Sequence, residues 1–347
     1  MGLNSPYFFS LCLTSANPPY QQESIGNNES DTPIYNYFLE AAYEISNKVE
    51  MIHPARFLFN AGYTPKTWNE KMLSDKHLKL EKYVQKSADI FPNTDIKGGV
   101  AITYHDIDKD YEPIGVFTVY SELTSILKKV SITKPQSLEN VISNRGLYKY
   151  SDDFFSEKII ESKLTSDRRI APSSFERMPS IFTKEKPLIN EEYIRIYGNM
   201  KNERVFRWIN KRYVQQNSNL EKYKVLVPKA NGTGVLGEAL STPVIIEPLI
   251  GFTETYISIN ETYSKECAEA TLKYIKTKFA RVMLGVLKVT QNNAKPTWHY
   301  VPLQDFTSNS DIDWSKSIHE IDLQLYKKYE LDDKEIEFIE THVKEME

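Results

Sequence analysis

Two consecutive prolines set directly behind a short apolar run constrain this chain more than any other feature. Tyr7 to Leu13 is apolar enough for a short buried strand, Thr14-Ser15-Ala16 closes it, and Asn17-Pro18-Pro19-Tyr20 follows at once. Paired prolines hold an extended turn and remove two N–H donors. The Asn17 side-chain amide and the Pro18 carbonyl are then left as acceptors off the strand end. Downstream, Thr32 and Pro33 read as a helix start, a hydroxyl cap followed by proline at the first helical position. Ile34, Tyr37, Phe38, Ala41 and Ile45 recur at helical spacing and predict an apolar face. Val49 to His53 reads as a second short strand, ended by Pro54. Strand, loop, helix and strand in this order suit a parallel crossover unit. The carboxyl ends of parallel strands are where such sheets bind ligands.

The chemistry of that loop follows from its acceptors. A pair of oriented acceptors can hold an exocyclic amino group while its nitrogen lone pair attacks an electrophile, and Tyr20 offers a flat face to a flipped base. The same four residues also fit a rigid turn with a surface tyrosine, or a proline-rich ligand peptide. Their position, with an apolar strand before and a crossover after, favours a binding loop.

Further along, Trp68 to Leu80 reads as a helix. Gly98-Gly99 precedes a strand from Val100 to Tyr104, and Asp106 to Pro113 form a turn before a strand from Ile114 to Tyr120. This pair predicts an antiparallel hairpin. Ser121 to Ile142 reads as helical with a break near Pro135. From about Asn144 scattered prolines and short strand-like runs replace this texture, among them Tyr223 to Val227 and Val244 to Glu247. Two domains are expected, at 1–150 and 151–347. Lys265 to Leu287 is an amphipathic helical stretch, Trp314 to Tyr329 another, and Asp332 with Glu335 forms a capping box for a last helix.

A chain of 347 residues with 40% hydrophobic residues and a net charge of −4 is neither disordered nor collagen-like. It lacks the uninterrupted apolar run of roughly 18 residues that a membrane span requires. No Lys or Arg precedes Tyr7, so no secretory signal is expected. Cys12 and Cys267 are the only cysteines, which leaves no disulfide framework, and a cytoplasmic location is expected. The six histidines are scattered without HxH or HExxH spacing, so no metal site is predicted. Asp106-Ile107-Asp108-Lys109-Asp110 reads as a turn, not a calcium loop. Near-neutrality conceals asymmetry. Arg195 to Lys229 carries nine basic residues against Glu203 and Glu221, or +7, and Asp305 to Glu347 carries thirteen acids against five lysines, or −8. Such a basic stretch can follow a phosphate backbone. Arg204, Arg207, Lys211, Arg212 and Lys229 are the candidate DNA contacts, with Trp208 and Tyr213 interleaved.

The chain resembles the later half of an N6-adenine DNA methyltransferase of a type II restriction-modification system, with its target-recognition domain after the catalytic one. Asn17-Pro18-Pro19-Tyr20 is similar to that family's catalytic motif. The runs Pro33 to Phe38, Met51 to Leu58, Ser87 to Pro92 and Ile96 to Ala101 resemble its following motifs. Leu303 to Thr307 and Ser310 to Ile318 resemble its C-terminal part. The resemblance implies a partial Rossmann-like α/β methyltransferase sheet, its catalytic half, joined to a mixed α+β target-recognition domain. It implies methyl transfer from S-adenosylmethionine to a flipped adenine in double-stranded DNA. Asn17 and Pro18 would accept hydrogen bonds from the adenine amino group, Pro19 would stiffen the loop, and Tyr20 would stack on the base. Tyr104 is the expected second wall of the base pocket. A cognate restriction endonuclease is an implied partner.

One part of the pattern is missing. A cofactor-binding glycine loop would precede Asn17, yet only 16 residues stand before it. Gly232-x-Gly234-x-x-Gly237 is the only spaced glycine pattern, and without a helix after it this reads as a recognition-domain loop. The strand from Phe8 to Ala16 would then be an unpaired apolar edge. An N-terminally truncated remnant, or a separate polypeptide supplying the donor-binding half, is the expectation. The alternative is a non-catalytic DNA-recognition module or degenerate methylase, and a third reading is an interaction protein that binds no nucleic acid.

Overall fold

The computed structural model describes residues 13–22, 32–59, 63–96, 98–157, 168–288 and 290–346. Of the strand expected at Tyr7 to Leu13, only Leu13 lies within these, and Cys12 lies outside them. The chain separates into two compact units, Met1–Thr124 and Ser125–Glu347. The division falls upstream of residue 150 because the 138–150 segment is bonded into the second unit. Leu138 N donates to Val301 O at 2.8 Å, Ser143 N donates to Ser258 O at 2.9 Å, and Tyr148 and Tyr150 are part of that unit's core.

The first unit runs β1 (Thr14–Ala16), β2 (Gln21–Gln22), β3 (Thr32–Pro33), α1 (Tyr35–Ile45), β4 (Lys48–Pro54), α2 (Lys66–Ser74), β5 (Leu78–Val84) and β6 (Val100–Asp106). Its main sheet has the order β1-β4-β6-β5. β1 and β4 are parallel with α1 between them in sequence, the crossover that the strand–helix–strand pattern predicts. β4–β6 and β6–β5 are antiparallel. β2 and β3 form a small antiparallel pair, so Pro33 stands in a strand and α1 begins two residues later.

Two expectations are corrected here. β6 pairs with β4 and β5, and 114–120 forms no strand beside it; the helix expected over Trp68 to Leu80 stops at Ser74. Leu78-Lys79-Leu80-Glu81 alternates as a strand should, but a bulge between Leu80 and Lys82 breaks the period, which hides β5 from a pattern reading. The buried face of α1 also differs. Tyr35, Asn36, Leu39 and Ala42 are inside, whereas Tyr37, Phe38 and Ile45 are 60%, 43% and 51% exposed. Both faces of this helix are apolar, so periodicity could not choose between them.

Beneath the sheet, His53, Tyr35, Phe57 and Trp68 form an aromatic cluster. Tyr35 and His53 are stacked at 5.5 Å, and Trp68 meets Tyr35 and Phe57 edge-on. Gly98 and Gly99 both take left-handed backbone, with φ of +86° and +80°. A Cβ on Gly99 would lie 2.5 Å from Val84 O, so only glycine lets this loop close against β5. Ala55 N donates to Gly99 O at 3.0 Å, joining that loop to the end of β4.

The second unit begins within α3 (Ser121–Ile132), whose Leu123, Ile126, Leu127 and Val130 are buried at helical spacing. Short helices α4 (Asp152–Ser156) and α5 (Ser174–Arg177) follow. β7 (Tyr193–Met200) and β8 (Glu203–Asn210) form a hairpin turning at Lys201 and Asn202, both with positive φ, the backbone that a two-residue hairpin turn requires. β9 (Tyr223–Pro228), β10 (Val244–Ile246), β11 (Ile250–Phe252) and β12 (Tyr256–Thr262) complete the strands, β11 parallel to β7 and β9 between β10 and β12. Helices α6 (Lys265–Lys276), α7 (Lys278–Gly285), α8 (Ile318–Lys328) and α9 (Asp333–His342) end the chain. The single helix expected over Lys265 to Leu287 is broken at Thr277, which ends α6 and caps α7. Asp322 of α8 accepts Lys278 N and Phe279 N, each at 2.9 Å, and so supplies a second cap from 44 residues away in sequence. The capping boxes of α8 and α9 are both formed. Among the described residues, no helix is long and apolar enough to cross a membrane.

Candidate active site

A cleft of about 540 Å³ opens at the carboxyl ends of β1 and β4. Asn17, Pro18, Pro19, Tyr20 and Gln21 form one side, and Pro33, Tyr35, Pro54, Arg56, Tyr63, Thr64, Asp95 and Ile96 contribute the rest. Asn17 and Pro19 are exposed and Pro18 is buried, so the loop is anchored at its centre. Tyr20 O accepts Ile34 N at 3.1 Å, which ties the loop to the entry of α1. The Tyr20 ring stands edge-on to Phe91 at 6.4 Å, and its half-buried phenol is raised above the usual tyrosine range by desolvation. Phe91 is held by a loop knotted around Ser87. The Ser87 hydroxyl donates to Thr94 O at 3.0 Å and accepts Ile96 N at 2.8 Å, bringing Asp95 and Ile96 to the cleft. Thr64 is fixed by a 2.7 Å bond from its hydroxyl to Asn69 Oδ1.

The groups under the cleft are neutral at physiological pH. Burial pushes the Tyr35 phenol up to about 12, against the opposing pull of Thr64 and Arg56. Burial lowers the His53 imidazole to about 4; its Nε2 lies 2.8 Å from Thr103 Oγ1 and its Nδ1 3.2 Å from Pro54 O. His53 is therefore a structural partner of Tyr35 and not a base facing the cleft.

Tyr104 is placed elsewhere. On β6 it pairs with Glu50 and Lys79, whereas the cleft lies by Pro54, whose partner is Val100. Four residues of extended strand put it roughly 13 Å along β6 from that end, and its hydroxyl donates to Asp106 at 3.3 Å. Residues the sequence did not single out, Arg56, Tyr63 and Asp95, line the cleft instead. They come from two different connections, β4–α2 and β5–β6, so no local pattern marks them.

The glycine pattern Gly232-x-Gly234-x-x-Gly237 is a loop, as expected, and its amides are already committed. Thr233 N and Gly234 N donate to the Glu238 carboxylate at 2.7 and 3.1 Å, and buried Lys288 pairs with the same carboxylate. A loop occupied by its own glutamate does not fit a nucleotide cofactor, and among the described residues the cleft lining holds no glycine-rich turn. The described residues do not by themselves fit S-adenosylmethionine. Among them, no group of three His, Cys, Asp or Glu is arranged to hold a metal.

The five candidate DNA contacts are dispersed. Arg204 and Arg207, three apart on β8, point to opposite faces of the strand. Arg204 donates to Thr242 O at 2.8 Å and to its hydroxyl at 2.7 Å, and Arg207 donates to Phe206 O at 2.8 Å. Trp208 is accompanied by Arg195 and Lys186, each 5.7 Å from its ring, and not by Arg207. Lys211 pairs with Glu192 at 3.0 Å and Arg212 with Glu157 at 3.1 Å, in a groove lined also by Asp153, Glu191 and Glu221. The basic stretch is therefore locally neutralised by acids from outside it.

Residues 15–91, which carry β1, the Pro-Pro loop, the crossover and Phe91, match the family model described as Eco57I restriction-modification methylase. No curated protein matches the chain. Among solved structures, the type IIL restriction-modification enzyme MmeI in complex with DNA is matched at 10% identity over 95% of this chain and 56% of that one, with a TM-score of 0.37. The type IIG restriction endonuclease BpuSI is matched at 10% identity over 84% of this chain and 44% of that one, with a TM-score of 0.30. The chain spans about half the length of these two enzymes. The segment that builds the cleft is thus similar to a restriction-modification methylase.

Proposed function

We propose that the first unit is the acceptor half of a DNA adenine-N6 methyltransferase of a restriction-modification system, and that the second unit recognises duplex DNA. The observation that carries the reading is the placement of Asn17-Pro18-Pro19-Tyr20 at the carboxyl end of a parallel strand, on a cleft large enough for a base, within the segment similar to the methylase family. In this reading Asn17 Oδ1 and the Pro18 carbonyl accept hydrogen bonds from the amino group of a flipped adenine. They fix its plane and aim its lone pair. Tyr20, braced by Phe91, stacks on the base. Positioning and oriented dipoles supply the catalysis, with no covalent enzyme intermediate.

The proposed donor is S-adenosylmethionine, carried by residues other than those lining this cleft. The donor-binding portion, which a separate polypeptide can supply, would cover the exposed Tyr37, Phe38 and Ile45 of α1 and extend the sheet beyond β1. In the second unit, Lys211 and Arg212 would exchange their carboxylate partners for phosphates, and Arg204, Arg207 and Lys229 would add contacts. A cytoplasmic setting with a cognate restriction endonuclease belongs to the same reading. A second reading, a recognition module that binds its site without modifying it, is favoured by the engagement of the glycine loop with Glu238.

The test is made in the cell that produces the protein. Nucleoside mass spectrometry of its DNA should show N6-methyladenine, and a chromosomal Asn17→Ala change should lower it by about a hundredfold or more. Unchanged N6-methyladenine in Asn17→Ala would refute the methyltransferase reading. Duplex binding by a chain whose DNA carries no modified base would establish the recognition module.

A further inference from the structure

The β7–β8 hairpin carries two unlike faces. Ile194, Ile196 and Ile209 are buried on one. The in-register pairs Arg195–Trp208 and Tyr197–Phe206 stand on the other. On this second face an aromatic chain runs outward from the core. Tyr256 meets Tyr197 at 5.1 Å, and Tyr197 meets Phe206 at 5.0 Å. Tyr256 and Tyr197 are buried, whereas Phe206 is 40% exposed. Cations continue the chain. The Arg195 guanidinium lies 5.2 Å from the centre of the Phe206 ring and 5.7 Å from that of Trp208, and the Lys186 ammonium lies 5.7 Å from the Trp208 ring. Backbone bonds hold this end in place. Trp208 N donates to Thr183 O at 2.8 Å and Thr183 N to Trp208 O at 3.0 Å. The Thr183 hydroxyl donates to Glu185 O at 2.7 Å, which fixes the turn that carries Lys186 to the indole.

The partners of Arg195 and Lys186 are ring faces, and among the described residues no carboxylate pairs with either. Their neighbours are engaged differently. Arg204, on the same face of the hairpin, is spent on Thr242, and Lys211 and Arg212 are paired with Glu192 and Glu157. A guanidinium packed against a ring keeps its planar N–H edge for an acceptor, and the ring fixes the direction of that edge. Lys186 is exposed, and Arg195 and Trp208 are part-exposed. Cations alternating with flat apolar groups complement a strand in which phosphates alternate with sugars and bases. We propose that this face of the β7–β8 hairpin is a DNA-binding surface, on which Arg195 and Lys186 take backbone phosphates and Phe206 and Trp208 pack against the nucleotides between them. The choice of DNA as occupant rests on the recognition reading above, and the surface itself stands on the geometry of the face.

The experiment uses the full chain with Arg195→Gln, Lys186→Gln and Phe206→Ala, and with Arg195→Lys, which keeps the charge and loses the planar fork. The substituted side chains are exposed or part-exposed, so each variant should melt within about 2 °C of the wild type. Binding of a labelled DNA duplex, and of one of its strands alone, is followed from 50 to 300 mM NaCl. Arg195→Gln and Lys186→Gln should each weaken duplex binding roughly tenfold at low salt, and the slope of log affinity against log salt should become shallower by about 0.9. Arg195→Lys should keep the wild-type slope. Phe206→Ala should weaken binding about fivefold or more without changing the slope. Duplex binding in which Arg195→Gln leaves both affinity and slope unchanged overturns the surface and leaves the recognition reading standing. Binding of the single strand but not of the duplex, with these same losses in the variants, overturns duplex recognition and leaves the surface standing. Binding of neither by the wild type overturns both.

Discussion

Lys224 lies in β9 with none of its surface exposed, and its ammonium donates to Asn219 O at 2.7 Å. Desolvation lowers its pKa from 10.5 to about 7, against the pull of Glu261 and Glu221. In the unfolded chain the same group keeps its proton until about pH 10.5. Between these limits the unfolded state binds more protons, so stability rises with pH across this window. Integrating the two titrations, the lysine disfavours the fold by about 4 kcal/mol at pH 7 and by about 2 kcal/mol at pH 9. Lys224→Met removes the titration and fills the site with an unbranched apolar chain. It also strips Asn219 O of its donor, a loss of about 1–3 kcal/mol that does not change with pH. The offset cancels when one variant is compared at two pH values. The stability of Lys224→Met relative to wild type should therefore fall by about 2 kcal/mol between pH 7 and pH 9. Urea unfolding followed by tryptophan fluorescence at both pH values measures it. A difference that stays constant within about 0.5 kcal/mol would show that the buried ammonium keeps its charge, and would refute the reasoning.

His53, lowered to about 4 by burial, is held neutral in the fold while the unfolded imidazole protonates near 6.5. The first unit should consequently lose about 3 kcal/mol as pH falls from 6.5 to 4, and the His53 ring resonances should remain those of a neutral imidazole at pH 5.5; titration near 6.5 would contradict this. Gly99→Ala meets both a left-handed φ and the Val84 carbonyl at 2.5 Å, and should destabilise the first unit by roughly 2–4 kcal/mol. Gly115→Ala, at φ +61° with no atom closer than 3.9 Å, should cost about 1 kcal/mol. Thermal unfolding by circular dichroism compares the two, and equal losses would remove the steric argument.

Local chemistry made much of this protein legible before any coordinates. The capping box at Asp332 sets a helix start by bonds that reach three residues, whereas the helix expected from Trp314 begins at Ile318, capped by Ser317. The apolar spacing around Pro54 announced a strand, and the paired prolines after Ala16 announced a rigid loop at a strand end, where the cleft is found. Each of these signals is complete within a turn of helix or a few residues of strand. The failures share the opposite property. The inner face of α1 depends on which of two apolar stripes meets β4, and the partner of β6 depends on a bulged strand. The break between α6 and α7 is capped by Asp322 from 44 residues away. Charge behaved in the same way: Arg195 to Lys229 is basic by composition, yet Glu157 and Glu192 neutralise part of it from outside the stretch. The sequence by itself determined the loop, the caps and the crossover, because their energies are short-ranged along the chain. Only the tertiary structure decided which faces are buried and which charges pair with which, because those depend on neighbours brought together by folding.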